Sequence, residues 1–346
     1  MASSKEMKPI SAPFFPNIFF KNQFQSSPVW PKEGTSLAGK NAVVTGANQG
    51  LGFEASRQLL SLGLSGLILA VRSVAKGEVA AGKLRKQFPL ARIDVFCLDM
   101  LSYNSIQAFV DELRKQRRVD IAILNAGVRK MQFETVPSTQ HEETIQVNYI
   151  STVLLCVLLL PILRSGSEHG PGRISIVSSG LAFKAKFPNR TALPLLPSFD
   201  DASTFDALDR YNTSKLLGMM FLYKLNDYVS SDDVIVNIVD PGFVQGTDLG
   251  REVPLIGSLF MGIWKKVAAR SLKTGASTYI DAAVIKGKEC HGCYLMSWEI
   301  SPFAGLLYTE EGLTIMESLW KETLKELSFA NLEGILDELS QTRVRS

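Results

Sequence analysis

Histidine is nearly missing from this chain: there are three in 346 residues, beside four cysteines. A structural zinc site takes four Cys or His ligands at close spacing. Cys290-His291-Gly292-Cys293 offers half of such a site, and the sequence holds no second pair, so no metal is expected. Four cysteines in so long a chain do not make the disulfide framework of a small secreted domain either. Cys97 and Cys156 fall in apolar runs and read as small core residues. An excess of charge of one sign is also lacking. The 37 Lys and Arg stand against 34 Asp and Glu, a formal net charge of +3, which gives no footing for a nucleic-acid or acidic-membrane partner.

Long hydrophobic runs are absent as well. The longest, Val153 to Leu163, is interrupted by Pro161 and falls short of the roughly 20 apolar residues of a transmembrane span. Near the N-terminus, Pro13 and Pro16 break up the apolar cluster of Phe14, Phe15, Ile18, Phe19 and Phe20, so no secretory signal is visible. A cytoplasmic protein is expected. Apolar residues are plentiful: 46% of the chain is hydrophobic, which suits a packed core and excludes general disorder.

Residues 1–36, rich in Pro, Ser and Phe and without periodicity, read as an arm packing its aromatics on the body or as a partly disordered tail. From Leu37 onward, strand and helix patterns alternate. The sequence predicts strands at Asn41–Val44, Leu67–Val71, Ile93–Leu98, Val119–Leu124, Arg173–Val177, Val234–Val239 and Cys293–Met296. It predicts helices at Phe53–Leu62, Ala75–Phe88, Ser105–Lys115, about His141 to Leu163, Arg210–Tyr228 and Thr274–Ile285. Such alternation means a doubly wound, mostly parallel seven-stranded α/β sheet with helices on both faces. Ligands of such sheets bind at the carboxyl ends of the strands. No repeat or interdomain linker is apparent, so one domain is expected. Past residue 301, Glu317–Leu327 and Leu332–Leu339 are amphipathic, and Leu319, Trp320 and Leu324 are expected to dock on the body.

The stretch around which this pattern is organised is Thr45-Gly46-Ala47-Asn48-Gln49-Gly50-Leu51-Gly52, where the first strand turns into a helix. Glycine lets the backbone come close to a ligand there, and a helix N-terminus offers free N–H groups and partial positive charge to a pyrophosphate. Other chemistry-bearing residues follow successive strands: Asp99, then Asn125-Ala126-Gly127, then Ser178-Ser179, then Pro241-Gly242. Tyr211 and Lys215 stand four apart at the start of a helix, on one face and one turn apart. A free phenol titrates near pH 10 and is a poor acid–base group at neutral pH. A lysine ammonium and a positive nicotinamide ring beside it would favour the phenolate, and a serine hydroxyl could hold a carbonyl oxygen next to it.

With these residues in place the resemblance is specific. From about Leu37 to Met296 the chain resembles the short-chain dehydrogenase/reductase family, and looks most like its retinol-dehydrogenase-like and fungal secondary-metabolism members. The matching residues are the Thr45–Gly52 motif, Asp99, Asn125-Ala126-Gly127, Asn148, Ser179, Tyr211, Lys215 and Pro241-Gly242. The resemblance implies a single Rossmann-type domain over 37–300, with a flap insert at 180–210 and a substrate loop at 243–270. The arm of 1–36 precedes it and a helical extension of 301–346 follows. Tyr211 would be the general acid/base, Lys215 would lower its pKa and bind the nicotinamide ribose, Ser179 would orient the carbonyl, and Asn148 would support a relay water. Cofactor contacts are implied for Gly46, Asn48, Gln49, Gly50, Leu51, Gly52, Asp99, Met100, Asn125, Ala126, Gly127, Tyr211, Lys215, Pro241, Gly242 and Val244. Thr247 joins them for the carboxamide or phosphate, although the family spaces Pro-Gly-x-x-x-Thr and this chain has one residue more before Thr247.

The second strand ends Leu69-Ala70-Val71-Arg72, with no carboxylate for a ribose 2′-hydroxyl. A guanidinium suits a 2′-phosphate, so Arg72 points to NADP(H). Two segments are expected to set the substrate: the Pro- and Phe-rich insert Gly180–Arg210, and Val253–Val267, where Leu255, Leu259, Phe260, Ile263 and Trp264 could line an apolar pocket or close the core. The expected activity is hydride transfer between NADP(H) and the carbonyl or alcohol of a bulky apolar molecule, with reduction the favoured direction in a cytosol rich in NADPH. Imine or double-bond reduction, redox-neutral isomerisation, and an NADP(H)-sensing protein on the same scaffold are the alternatives; Ser179, Tyr211 and Lys215 argue against the last. Monomer and homodimer both stay open.

Overall fold

Alternate residues of the first strand face opposite layers, and this sets the architecture. In β1 (Asn41–Thr45), Ala42 and Val44 belong to one core cluster and Val43 to another, all at most 1% exposed. The computed structural model describes residues 3–116, 118–164, 170–246 and 268–345. β1 pairs in parallel with β2 (Gly66–Val71) on one side and β4 (Ile121–Leu124) on the other. β3 (Arg92–Cys97), β5 (Gly172–Val177), β6 (Val234–Asp240), β7 (Tyr294–Met296) and β8 (Glu299–Ser301) complete one sheet of order β3-β2-β1-β4-β5-β6-β7-β8. The order reverses between β1 and β4, so the carboxyl ends of these two strands open the crevice where such sheets bind ligands. Among the described residues the sheet has eight strands where the sequence predicts seven. The eighth, three residues antiparallel to β7, is too short to show alternation.

Among the described residues the α-helices are α1 (Gly50–Ser61), α2 (Val74–Gln87), α3 (Tyr103–Arg114), α4 (Glu143–Arg164), α5 (Ala207–Leu225), α6 (Leu272–Ile280), α7 (Glu310–Glu326) and α8 (Leu332–Arg345). Helices α1, α2 and α6 cover one face of the sheet; α3, α4 and α5 cover the other. Among the described residues α4 alone is long and apolar enough to cross a membrane, yet 89% of that window is buried inside the protein, as in a core helix. Glu142 caps its start, accepting from Thr144 N and Ile145 N at 3.0 Å each. A π-helical turn at Gln146–Ile150 carries Asn148.

The insert before α5 packs inward. Phe187 and Phe199, each 1% exposed, stack at 5.8 Å between centroids. Its backbone is tied down by Asp209, which accepts Lys186 N at 2.7 Å, and by Glu322 of α7, which accepts Leu195 N and Leu196 N at 2.8 Å each. His141 bridges the same layer to α7, bonding Asp200 at 2.9 Å and Glu326 at 3.3 Å. Burial alone would lower its pKa, but the two carboxylates lift it to about 9. Trp320 of α7 stacks on Phe221 and Tyr228, and Thr323 meets the Tyr149 hydroxyl at 2.8 Å, so the C-terminal helices lie on α4 and α5. Cys290 and Cys293 are buried, and His291 accepts from Val236 N at 3.2 Å, which ties the loop before β7 to β6.

Candidate active site

The turn after β1 is crowded at two of its glycines and needs positive φ at two. Gly46 and Gly50 hold φ of +64° and +58°, and a Cβ on Gly52 would lie 2.6 Å from both Asn125 Nδ2 and Gly46 O. Helix α1 begins inside this motif, at Gly50, with no side chain capping its first N–H groups. A glycine turn feeding a helix N-terminus has the shape and N–H groups that can take a phosphate. Asn125 fixes it from β4: Nδ2 donates to Thr45 O at 2.9 Å, Oδ1 accepts from the Tyr279 hydroxyl at 3.2 Å, and Ala126 N donates to Thr45 Oγ1 at 2.8 Å. Leu51 and Val244, both nearly buried, converge on Gly275 of α6, where a Cβ would lie 2.9 Å and 2.6 Å from them.

At the neighbouring strand ends, Arg72 is exposed just past β2, and no carboxylate lies on that strand end. Asp99 is half-buried past β3, its carboxylate accepting Leu101 N at 3.0 Å, while Met100 is buried with its carbonyl accepting Ser151 Oγ at 2.6 Å. Asn48 is half-buried and Gln49 exposed. Thr247 and the 253–267 segment lie outside the described residues.

The candidate acid–base residues gather one step along the sheet. A Cβ on Gly127 would lie 3.2 Å from Asn148 Oδ1 and 3.5 Å from Lys215 Nζ, which places these groups side by side. Asn148 accepts from Val128 N at 2.8 Å and donates to Val128 O at 2.8 Å and Ser214 Oγ at 3.0 Å. Lys215 Nζ donates to Val177 O at 3.0 Å and lies 5.7 Å from the centre of the Tyr211 ring. Tyr211 is 5% exposed, with the Ser179 side chain near enough to its phenol to favour the phenolate. Of the serine pair, Ser178 Oγ is buried with no partner among the described residues.

Burial pushes the Tyr211 phenol up to about 12; the Ser179 side chain works against this, the Asp240 carboxylate adds to it, and the Arg129 guanidinium opposes it. Burial pulls the Lys215 ammonium down to about 8, with Asp240 opposing. At neutral pH the phenol is therefore protonated and the lysine mostly charged, the starting state of a proton donor.

Asp240, Arg270 and Arg129 are site residues that sequence reasoning missed. Asp240 ends β6, buried, accepting Gly242 N at 3.1 Å and also Gly180 N, the residue after the serine pair. Arg270, 7% exposed, donates to Pro241 O at 3.1 Å and Ser297 Oγ at 2.8 Å and lies over the Trp298 ring. Arg129 is half-buried, and its Nε has no partner among the described residues. For Asp240 a signal was present: a carboxylate closing a run of apolar strand residues, directly before Pro241-Gly242.

Known proteins resemble this chain in sequence and in fold. The family model described as short chain dehydrogenase matches residues 40–192. The chain is 56% identical to the short chain dehydrogenase/reductase mfmJ of Annulohypoxylon moriforme over 98% of this chain and 99% of that one. It is 43% identical to the short chain dehydrogenase virL of Hypocrea virens over 89% and 91%. Among solved structures, L-sorbose reductase from Gluconobacter frateurii, complexed with NADPH and L-sorbose, superposes with a TM-score of 0.58 at 21% identity, covering 76% of this chain and 95% of that chain. A putative NAD(P)-dependent gluconate 5-dehydrogenase from Beutenbergia cavernae, with bound NADP, gives 0.58 at 19% identity over 76% and 96%. At these identities the solved structures speak for the fold alone.

Proposed function

Since the chain belongs to the short-chain dehydrogenase/reductase family, we propose that it is a cytoplasmic, NADPH-dependent reductase acting on the carbonyl of a bulky, largely apolar small molecule of secondary metabolism. The observation that carries this reading is the buried Tyr211 with Lys215 Nζ 5.7 Å from its ring, beside the Ser179 turn. The residues present fit a dinucleotide. The Gly46–Gly52 turn and the open N-terminus of α1 would take the pyrophosphate, and Arg72 the 2′-phosphate. Asp99 and Asn125 would flank the adenosine side. The chemistry such a cofactor would supply here is hydride for the carbonyl carbon.

The chain's own residues do the rest. Ser179 Oγ holds the carbonyl oxygen against the phenol, and Tyr211 gives that oxygen its proton. The phenolate left behind is stabilised by the Lys215 ammonium, which burial keeps poorly hydrated and therefore strongly felt. The Asn148 side chain is taken up by Val128 and Ser214, so support of a relay water falls to its backbone within the π turn. The C-terminal helices packed over α4 and α5 support a monomer. NADPH and NADH consumption measured against a panel of ketones tests the reading. Faster turnover with NADPH, and with bicyclic rather than small polar ketones, is expected; preference for NADH with small polar ketones would overturn the cofactor and substrate assignments.

A further inference from the structure

The first 30 residues lie outside the segment matched by the family model, yet they reach the catalytic centre. The arm is fastened at two places. At its start Ser4, fully buried, donates to Ser301 O at 2.6 Å and accepts from Tyr294 N at 2.9 Å, which ties it to β8 and β7. Further along the arm, Gln23 uses its whole side-chain amide. Nε2 donates to Phe243 O at 2.8 Å and to Ala268 O at 2.6 Å, while Oε1 accepts from Phe243 N at 3.2 Å. Phe243 follows Pro241-Gly242, and Ala268 is two residues before Arg270, so one side chain joins the two backbone segments that run beside Asp240. Asn22 adds its carbonyl to Arg270 and to Ser297.

Between these fastenings the arm touches the serine turn itself. The Phe14 ring stacks on Phe183 at 6.2 Å and 15°. A Cβ on Gly180, next to Ser179, would lie 2.8 Å from the Phe14 ring and 3.2 Å from Asp240 Oδ2, so that turn is held between ring and carboxylate. Phe14 also meets Phe19, and Phe19 meets Phe243 at 6.2 Å, so aromatic rings run from the serine turn to the Pro-Gly turn. Three hydrogen bonds from one amide and a close-packed ring are more than a loosely trailing tail needs.

We propose that the N-terminal arm is a working part of the active site: Phe14 and Gln23 are positioning residues that hold the Ser179 turn and the Phe243 and Ala268 segments in register, and so set how tightly the carbonyl substrate is held. This rests on the reductase reading for its kinetic arm and is independent of it for its structural one. The structural arm is hydrogen–deuterium exchange on the full-length chain. In Gln23→Ala and Phe14→Ala, exchange rises in peptides covering 178–184 and 241–246, while peptides of β1 and α1 are unchanged. The kinetic arm uses the ketone of the panel that the wild type turns over fastest. Losing the Gln23 bonds raises KM roughly 10-fold, with kcat and the NADPH dissociation constant nearly unchanged. Phe14→Leu, which keeps apolar bulk, restores most of what Phe14→Ala loses. Unchanged exchange in both peptides overturns the proposal whether or not a ketone is reduced. Raised exchange with unaltered KM in both alanine variants overturns it too, because the arm would then brace the fold without governing the substrate.

Discussion

Replacing Lys215 with methionine should make the protein more stable and at the same time destroy its proposed activity. Burial draws the Lys215 ammonium from its ordinary 10.5 to about 8. That drop corresponds to roughly 3 kcal/mol of disfavour toward the charged form in the folded state. Methionine removes the charge and keeps the length of the stem. It also forfeits the bond from Nζ to Val177 O, at about 1 kcal/mol. The net gain at pH 7 is about 2 kcal/mol. With about 2 cal/mol/K of unfolding entropy per residue, that is an increase of about 3 °C in Tm. The sign with pH follows from linkage. Below pH 8 the lysine is charged in both states, and the folded state bears the burial penalty in full. Between pH 8 and 10.5 the folded lysine has released its proton while the unfolded one still holds it, so the wild type gains stability as pH rises and the advantage of the variant fades. Thermal melts of both proteins at pH 7 and pH 10 without added nucleotide check this. A variant that melts lower at pH 7, or a gap that does not shrink at pH 10, would refute the reasoning.

Gly52→Ala should abolish NADPH binding measured by fluorescence titration and lower Tm, because its methyl would lie 2.6 Å from Asn125 Nδ2 and Gly46 O; binding within a few-fold of wild type would contradict this. His141 has its pKa raised to about 9 by Asp200 and Glu326 against the effect of burial. Its charged form therefore contributes roughly 3 kcal/mol below the unfolded value of 6.5, a contribution lost as pH rises through 9. His141→Ala should accordingly lower Tm strongly at pH 6 and weakly at pH 10 in paired melts, and a deficit independent of pH would count against the ion-pair account. Light scattering coupled to size-exclusion chromatography should give the mass of a single 38.0 kDa chain, because α7 and α8 occupy the faces of α4 and α5; a stable dimer would show that those helices leave a pairing surface open.

Much of the fold was legible because its signals are local. β-prone runs such as Ala42-Val43-Val44, broken by glycine and followed by helical periodicity, set strand and helix order to within a few residues. The helix ends were less legible. α1 starts at Gly50, inside the glycine motif, where helix propensity is poor and tertiary packing on α6 overrides it. β8 escaped notice because three residues carry no period. At the site, Tyr211 and Lys215 stand out through spacing and order along the chain, whereas Asn148 is singled out only through the family resemblance. Arg129 and Asp240 do not stand out, because their importance lies in which charges the fold brings within reach of the phenol. The arm was legible as aromatic and aperiodic, but its contacts join residues more than 200 positions apart, as Gln23 to Phe243 shows, and no local pattern encodes them.

The central claim is that Tyr211 passes a proton during hydride transfer. Its most direct test is turnover of the best panel ketone with NADPH by Tyr211→Phe beside the wild type, with NADPH affinity measured on both. Phenylalanine keeps the buried ring and removes only the hydroxyl beside Ser179. The account predicts a fall in kcat of at least about 100-fold with the NADPH dissociation constant held within a few-fold. Wild-type turnover in the variant, with cofactor binding intact, would contradict it and move the proton transfer to another group.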